Sequence, residues 1–207
     1  MKDISIAPKR GGGAENKFAF LMGVTMIAHT ERQFLLTLAR HALVMYLESG
    51  QMPHVQTDNP ALLEPRAVFV TLRVRANGDL RGCRGETQAR HPLIESVALM
   101  SVASATDDPR FSSVRAEEVP GLHIEINALT PLAPIRPEAV EIGRHGLMIA
   151  RGAYAGLLLP EVATRYGWDA ETFLKAVCRK AGLRDNAWKA SDAKLYGFEA
   201  EVWGEDE

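Results

Sequence analysis

The stretch Asn-Gly-Asp-Leu-Arg-Gly-Cys-Arg-Gly-Glu, residues 77 to 86, sets one of the chain's two cysteines between glycines and arginines. The thiolate is the reactive form of cysteine, and nearby guanidinium groups favour it. Arg81 and Arg84 therefore make Cys83 a candidate nucleophile, and Gly82 and Gly85 would let a ligand or another backbone come close. The competing reading is structural: Asn77-Gly78 is a hairpin turn and Cys83 a small core residue on the returning strand. Regular pairing around a two-residue turn sets Leu72 opposite Cys83 and Val74 opposite Arg81, which puts the thiol on the apolar face. A bulge at Gly82 or Gly85, or a slip of one residue, turns it to the other face.

A nucleophile needs a base or a charge beside it. His145, next to a glycine in Gly-Arg-His-Gly, is the candidate base, against the plainer reading of a turn histidine bonded to backbone. Arg110, in Asp-Pro-Arg-Phe, can clamp an anion or pair with Asp107 or Asp108 to close a helix end. Together these groups suit a small anionic substrate. Cys178 shares an apolar helix face with Val177 and Ala181 and reads as a core thiol. Lys180 and Trp188 have ordinary roles at a helix end and in packing. The two cysteines form neither a CxxC nor a Cys/His metal pattern, and no CxxxCxxC run is present, so the sequence calls for no metal, cofactor or disulfide framework.

Composition is that of an ordinary globular chain: 207 residues, 46% hydrophobic and 24% charged, with a net charge of -2. No basic stripe interleaved with aromatics indicates nucleic acid, and no apolar run is long enough to span a bilayer. Arginines concentrate at 66, 73, 75, 81, 84 and 90 against only Asp79 and Glu86, an excess that a small anion can use; Arg73 and Arg75 read as outward and solvated. A reducing, cytoplasmic setting fits the cysteine usage. Residues 18 to 28 resemble a signal peptide only superficially, with no A-x-A site. Residues 1 to 28 are expected to be a flexible extension, with Met22 and Met26 as alternative starts, and residues 29 to 207 the domain.

The elements that must position these groups are legible as periods. Thr30 with Gln33 suggests a capping box before a helix running to Gly50. Residues 51 to 66, with three prolines, read as a loop. Residues 67 to 76 alternate Val68, Val70, Leu72 and Val74 inward, as a half-buried strand. A helix is expected over 91 to 105, a strand over 122 to 130 with Leu122, Ile124, Ile126 and Ala128 inward, and a hairpin around Gly-Ala-Tyr at 152 to 154. A short helix follows Pro160, Asp169 caps another that Gly182 stops, and residues 195 to 203 alternate as one C-terminal strand. Mixed helices and hairpins give an α+β fold with mainly antiparallel sheet.

GDLRGCRG at 78 to 85, DDPRFSSV at 107 to 114, IEINALTPLAPI at 124 to 135, IGRHGLMI at 142 to 149, GLLLPEVA at 156 to 163 and FLKAVCRKAGL at 173 to 183 follow one another as in the AMMECR-one domain. The chain resembles the A component of the AmmeMemoRadiSam system over about residues 30 to 204. The resemblance implies a domain with a larger and a smaller lobe, and as partners a Memo-like protein and a radical S-adenosylmethionine enzyme. Two positions depart from the family pattern: Arg84 stands for an aliphatic residue and adds a cation beside Cys83, and Glu161 stands for a glutamine and adds an acid or base. Two classes of function follow. One is a substrate-handling, thiol-dependent subunit using Cys83 with Arg81 and Arg110; the other is a non-catalytic docking module for the same partners.

Overall fold

The computed structural model describes residues 26–205. It is α+β, with two four-stranded sheets whose registered pairs are all antiparallel. The chain divides into two compact units, Leu129–Ala200 and the remainder, so the first unit takes up the chain again from Glu201.

In the first unit, α1 (His29–Ser49) starts two residues earlier than the Thr30 capping box suggests. Ala28 is its N-cap, and the Glu31 carboxylate accepts the Ala28 N–H at 2.7 Å. Gly50 ends it in the left-handed conformation (φ 70°) that L side chains avoid. A short α2 (Pro60–Leu63), capped by the Asn59 side chain, interrupts the expected loop. Strands β1 (Val68–Val74) and β2 (Leu80–Gly85), helix α3 (Leu93–Thr106), strand β3 (Leu122–Leu129) and the C-terminal β8 (Ala200–Gly204) complete it, in sheet order β2-β1-β3-β8. The residues expected inward on β1 and β3 face α1 and α3, in a core that also holds Trp203. Of the expected extension, residues 1 to 25 lie outside the described residues; Ile27 is buried and its N–H donates to Glu201 at 3.1 Å.

Two arginine–glutamate nodes fasten β8 to this unit. The Glu201 carboxylate accepts Arg66 at 2.7 Å and Arg32 at 2.9 Å, with Arg66 and Glu201 both buried. Glu205, just past β8, takes Arg40 and Arg75 at 2.6 Å each. Arg73 donates to the Gly78 carbonyl at 3.2 Å. Three of the six arginines between 66 and 90, Arg66, Arg75 and Arg81, are thus matched by acids remote in sequence, and Arg75, outward as expected, is also an ion-pair partner.

The second unit has sheet order β4-β7-β5-β6, from β4 (Ala133–Pro134), β5 (Gly146–Arg151), β6 (Tyr154–Leu158) and β7 (Lys194–Phe198). Helix α4 (Pro160–Arg165) and α5 (Ala170–Lys180) follow the expected hairpin, and Asp169 caps α5 by accepting the Thr172 N–H at 2.8 Å. Cys178 is fully buried beside Phe173 and Val177, as its helical spacing indicates. The single C-terminal strand expected over 195 to 203 is two strands. Glu199 leaves the ladder, donating its N–H to the Thr130 hydroxyl and accepting the Thr130 N–H, each at 2.8 Å. Among the described residues no helix is long and apolar enough to cross a membrane.

Candidate active site

The turn between β1 and β2 fixes which face of the sheet carries Cys83. It is not the two-residue turn that Asn-Gly suggests: residues 75 to 79 make it, with Gly78 left-handed (φ 74°) and its N–H donating to the Val74 carbonyl at 2.8 Å. Leu80 pairs with Arg73, the register then shifts, and Gly82 pairs with Leu72. Arg81 is the extra residue of this bulge. The shift puts Cys83 opposite Thr71 instead of Leu72, so the thiol leaves the helix-covered face for the other one. Cys83 is half-buried there, and the Thr71 hydroxyl lies 3.5 Å from its Sγ.

Arg81 does not serve the thiol. Its guanidinium grips Glu118 through Nε (3.0 Å) and Nη2 (3.2 Å) and donates to the Ser112 carbonyl at 2.9 Å. Arg84, the next residue after Cys83, pairs with Val70 on the opposite face and is exposed; its N–H donates to the Ser104 hydroxyl at 3.0 Å. Neither adjacent arginine therefore supplies the charge that sequence proximity suggests.

The two glycines have packing reasons. A Cβ at Gly82 would stand 2.0 Å from the Ser104 carbonyl oxygen, so this glycine lets the end of α3 press on the sheet. A Cβ at Gly85 would stand 2.2 Å from the Phe69 ring, which covers the strand at that point.

Arg110 does reach the site. Asp108, at the end of α3, accepts the Cys83 N–H at 2.9 Å and holds Arg110 in a fork, Nε to Oδ1 at 2.9 Å and Nη2 to Oδ2 at 2.7 Å. The same carboxylate therefore fixes the backbone under the thiol and the guanidinium beside it. Arg110 holds its Asp108 partner well below the ordinary carboxylate range; burial opposes this, and the N–H groups of Cys83 and Arg110 add to it. Because the folded value lies below the unfolded one, this stabilisation is fully present at neutral pH, declines as pH falls below the ordinary carboxylate range, and is gone below the folded value. Arg110 is pushed up by the bond to Asp108, against burial, and further by the charges of Asp108 and of the neighbouring Cys83. Its side chain is 55% exposed, and the guanidinium lies 5.5 Å from the Phe111 ring centroid. Arg110 is thus anchored by Asp108, charged and exposed.

His145 and Glu161 belong to the second unit. His145 Nδ1 accepts the Glu141 N–H at 3.0 Å, and the His145 backbone N–H donates to the Glu141 carbonyl, so the residue closes a turn. Burial, then the charge of Arg144, lowers its pKa, against the pull of Glu141 and Glu199. Glu161 sits in the first turn of α4, where an acid complements the helix dipole. Burial raises the Cys178 pKa, as suits a core thiol. Among the described residues no cluster of three or more His, Cys, Asp or Glu side chains is arranged to hold a metal ion.

Sequence reasoning missed Thr71, and it named Asp108 only as a helix-end partner for Arg110. The alternation of β1 does place Thr71 on the polar face; what hid its meeting with Cys83 was the register.

The AMMECR1 family model matches residues 36–203, a span that contains Cys83, Asp108 and Arg110. Protein MK0488 of Methanopyrus kandleri is 42% identical over 185 residues, which cover 86% of this chain and 89% of that protein. Protein PH0010 of Pyrococcus horikoshii is 41% identical over 184 residues. The crystal structure of PH0010 matches with a TM-score of 0.75, covering 84% of this chain and 90% of its own. Ordered motifs, fold and sequence likeness over most of both chains agree, and the chain belongs to the AMMECR1 family.

Proposed function

We propose that the protein is a substrate-handling, thiol-dependent subunit that acts with a Memo-like protein and a radical S-adenosylmethionine enzyme. The observation that carries the thiol part is the shared carboxylate of Asp108, which fixes both the Cys83 backbone and the Arg110 guanidinium. A core cysteine needs no such arrangement. Arg110 holds an anionic group of the substrate, and Cys83 meets the substrate next to it. The partners rest on the family resemblance. Any radical chemistry belongs to them, because the chain has no CxxxCxxC run.

The test is reconstitution with the two partners, read as consumption of S-adenosylmethionine. Cys83→Ser is expected to lower turnover by about a hundredfold or more, with the melting temperature nearly unchanged because the side chain is half-buried and nearly isosteric. Full turnover in Cys83→Ser would overturn the thiol role, and retained complex formation would then favour the docking module.

A further inference from the structure

Cys83 and Thr71 face each other across β2 and β1. The Cys83 N–H points away from β1, to Asp108, so the two form a non-hydrogen-bonded pair of the antiparallel ladder, the kind in which facing side chains lie closest. Thr71 is 7% exposed, so its hydroxyl has little access to bulk water, and its β-branched side chain has few rotamers on a strand. A buried hydroxyl needs a partner, and among the described residues Oγ1 has one, the Cys83 Sγ at 3.5 Å. The sulfur in turn has no such neighbour in the adjacent arginines, since Arg81 is held by Glu118 and Arg84 lies on the opposite face.

This contact is not equally favourable in the two states of the sulfur. A thiol is a weak donor and a weak acceptor. A thiolate is an anion, and a hydrogen bond donated to an anion is roughly twice as strong as a neutral one. The Thr71 hydroxyl therefore gains most when negative charge resides on Sγ. We infer that Thr71 is a positioning residue for the nucleophile: its hydroxyl donates to Cys83 Sγ and supports there the charge that sequence proximity assigns to Arg81 and Arg84. This deepens the reading of the preceding section, on which it rests, by naming the group that readies the thiol.

The test is the rate at which iodoacetamide alkylates Cys83 in the folded protein, followed on the Cys83 peptide by mass spectrometry at about pH 7 and at about pH 10, below and above the ordinary thiol range. Thr71→Val keeps the size and the β-branch and removes the donor. It is expected to slow alkylation about fivefold at the lower pH, the size of one hydrogen bond, and to leave the rate at the higher pH within about twofold of the parent, because the thiol is ionised there whatever its neighbour donates. Thr71→Ser keeps the hydroxyl and should restore most of the rate at the lower pH. Cys178, fully buried, stays unmodified in every variant that is folded. Should it react in Thr71→Val, Thr71→Ala takes that variant's place, and the same contrast between the two pH values is expected. A parental rate at the lower pH, an equal slowing at both, or a Thr71→Ser as slow as Thr71→Val would overturn the inference and leave the reading of Cys83 standing. A parent protein whose Cys83 reacts at neither pH while folded would overturn that reading itself, and the inference with it.

Discussion

Glu201→Ala lowers the stability of the protein by about 3–5 kcal/mol, the cost of removing one partner from a buried ion pair. The carboxylate is 7% exposed and joins three parts of the first unit: Arg66 ahead of β1, Arg32 in α1 and the N–H of Ile27. Alanine leaves two guanidiniums without their shared counter-charge, and Arg66, only 3% exposed, does not gain full hydration in exchange. Because Glu201 is the point at which the chain re-enters the first unit, the loss also loosens β8 on the sheet. Urea denaturation followed by circular dichroism measures it as a shifted midpoint. A change under about 1 kcal/mol, the range of exposed pairs, would show that water reaches the node.

Gly82→Ala is the second large loss, about 3 kcal/mol. The added methyl would stand 2.0 Å from the Ser104 carbonyl oxygen and 3.1 Å from its carbon. Those are backbone atoms of α3, so no rotamer change relieves the contact. The helix must move away from β2, and with it the Ser104 hydroxyl that accepts the Arg84 N–H and donates to the Val70 carbonyl at 2.8 Å. Thermal unfolding checks this, and an alanine variant as stable as the parent would contradict it. The functional corollary is that Gly82 variants lose activity through the fold. Cys83→Ser tests the chemistry and Gly82→Ala the architecture, although the residues are neighbours.

Which features were legible follows from the range of the forces that set them. The α1 face, the inward positions of β1 and β3, the β5–β6 hairpin and the Asp169 cap depend on neighbours within a turn or a strand, and they stand as the periodicity indicates. The face of Cys83 depends on turn length and one bulge. Asn-Gly points to a two-residue turn, but five residues make it, and the bulged residue, Arg81, pairs with Glu118, 37 residues away. The same holds for Arg66 and Arg75, whose partners lie at 201 and 205. Asp108 was visible beside Arg110 in sequence, but not its bond to the Cys83 backbone 25 residues away. The split at Glu199 was hidden because alternation runs unbroken through it.

The thiol of Cys83 lies on the face of the sheet away from the helices, and Asp108 ties its backbone to the Arg110 guanidinium. Iodoacetamide is neutral and iodoacetate anionic, so the ratio of their alkylation rates at Cys83 reports both access and local charge. In the folded protein Cys83 is expected to react with both, Cys178 only after unfolding, and Arg110→Gln should lower the iodoacetate-to-iodoacetamide ratio about threefold. Cys83 that stays unmodified until the protein unfolds, or a ratio that Arg110→Gln leaves unmoved, would contradict the account.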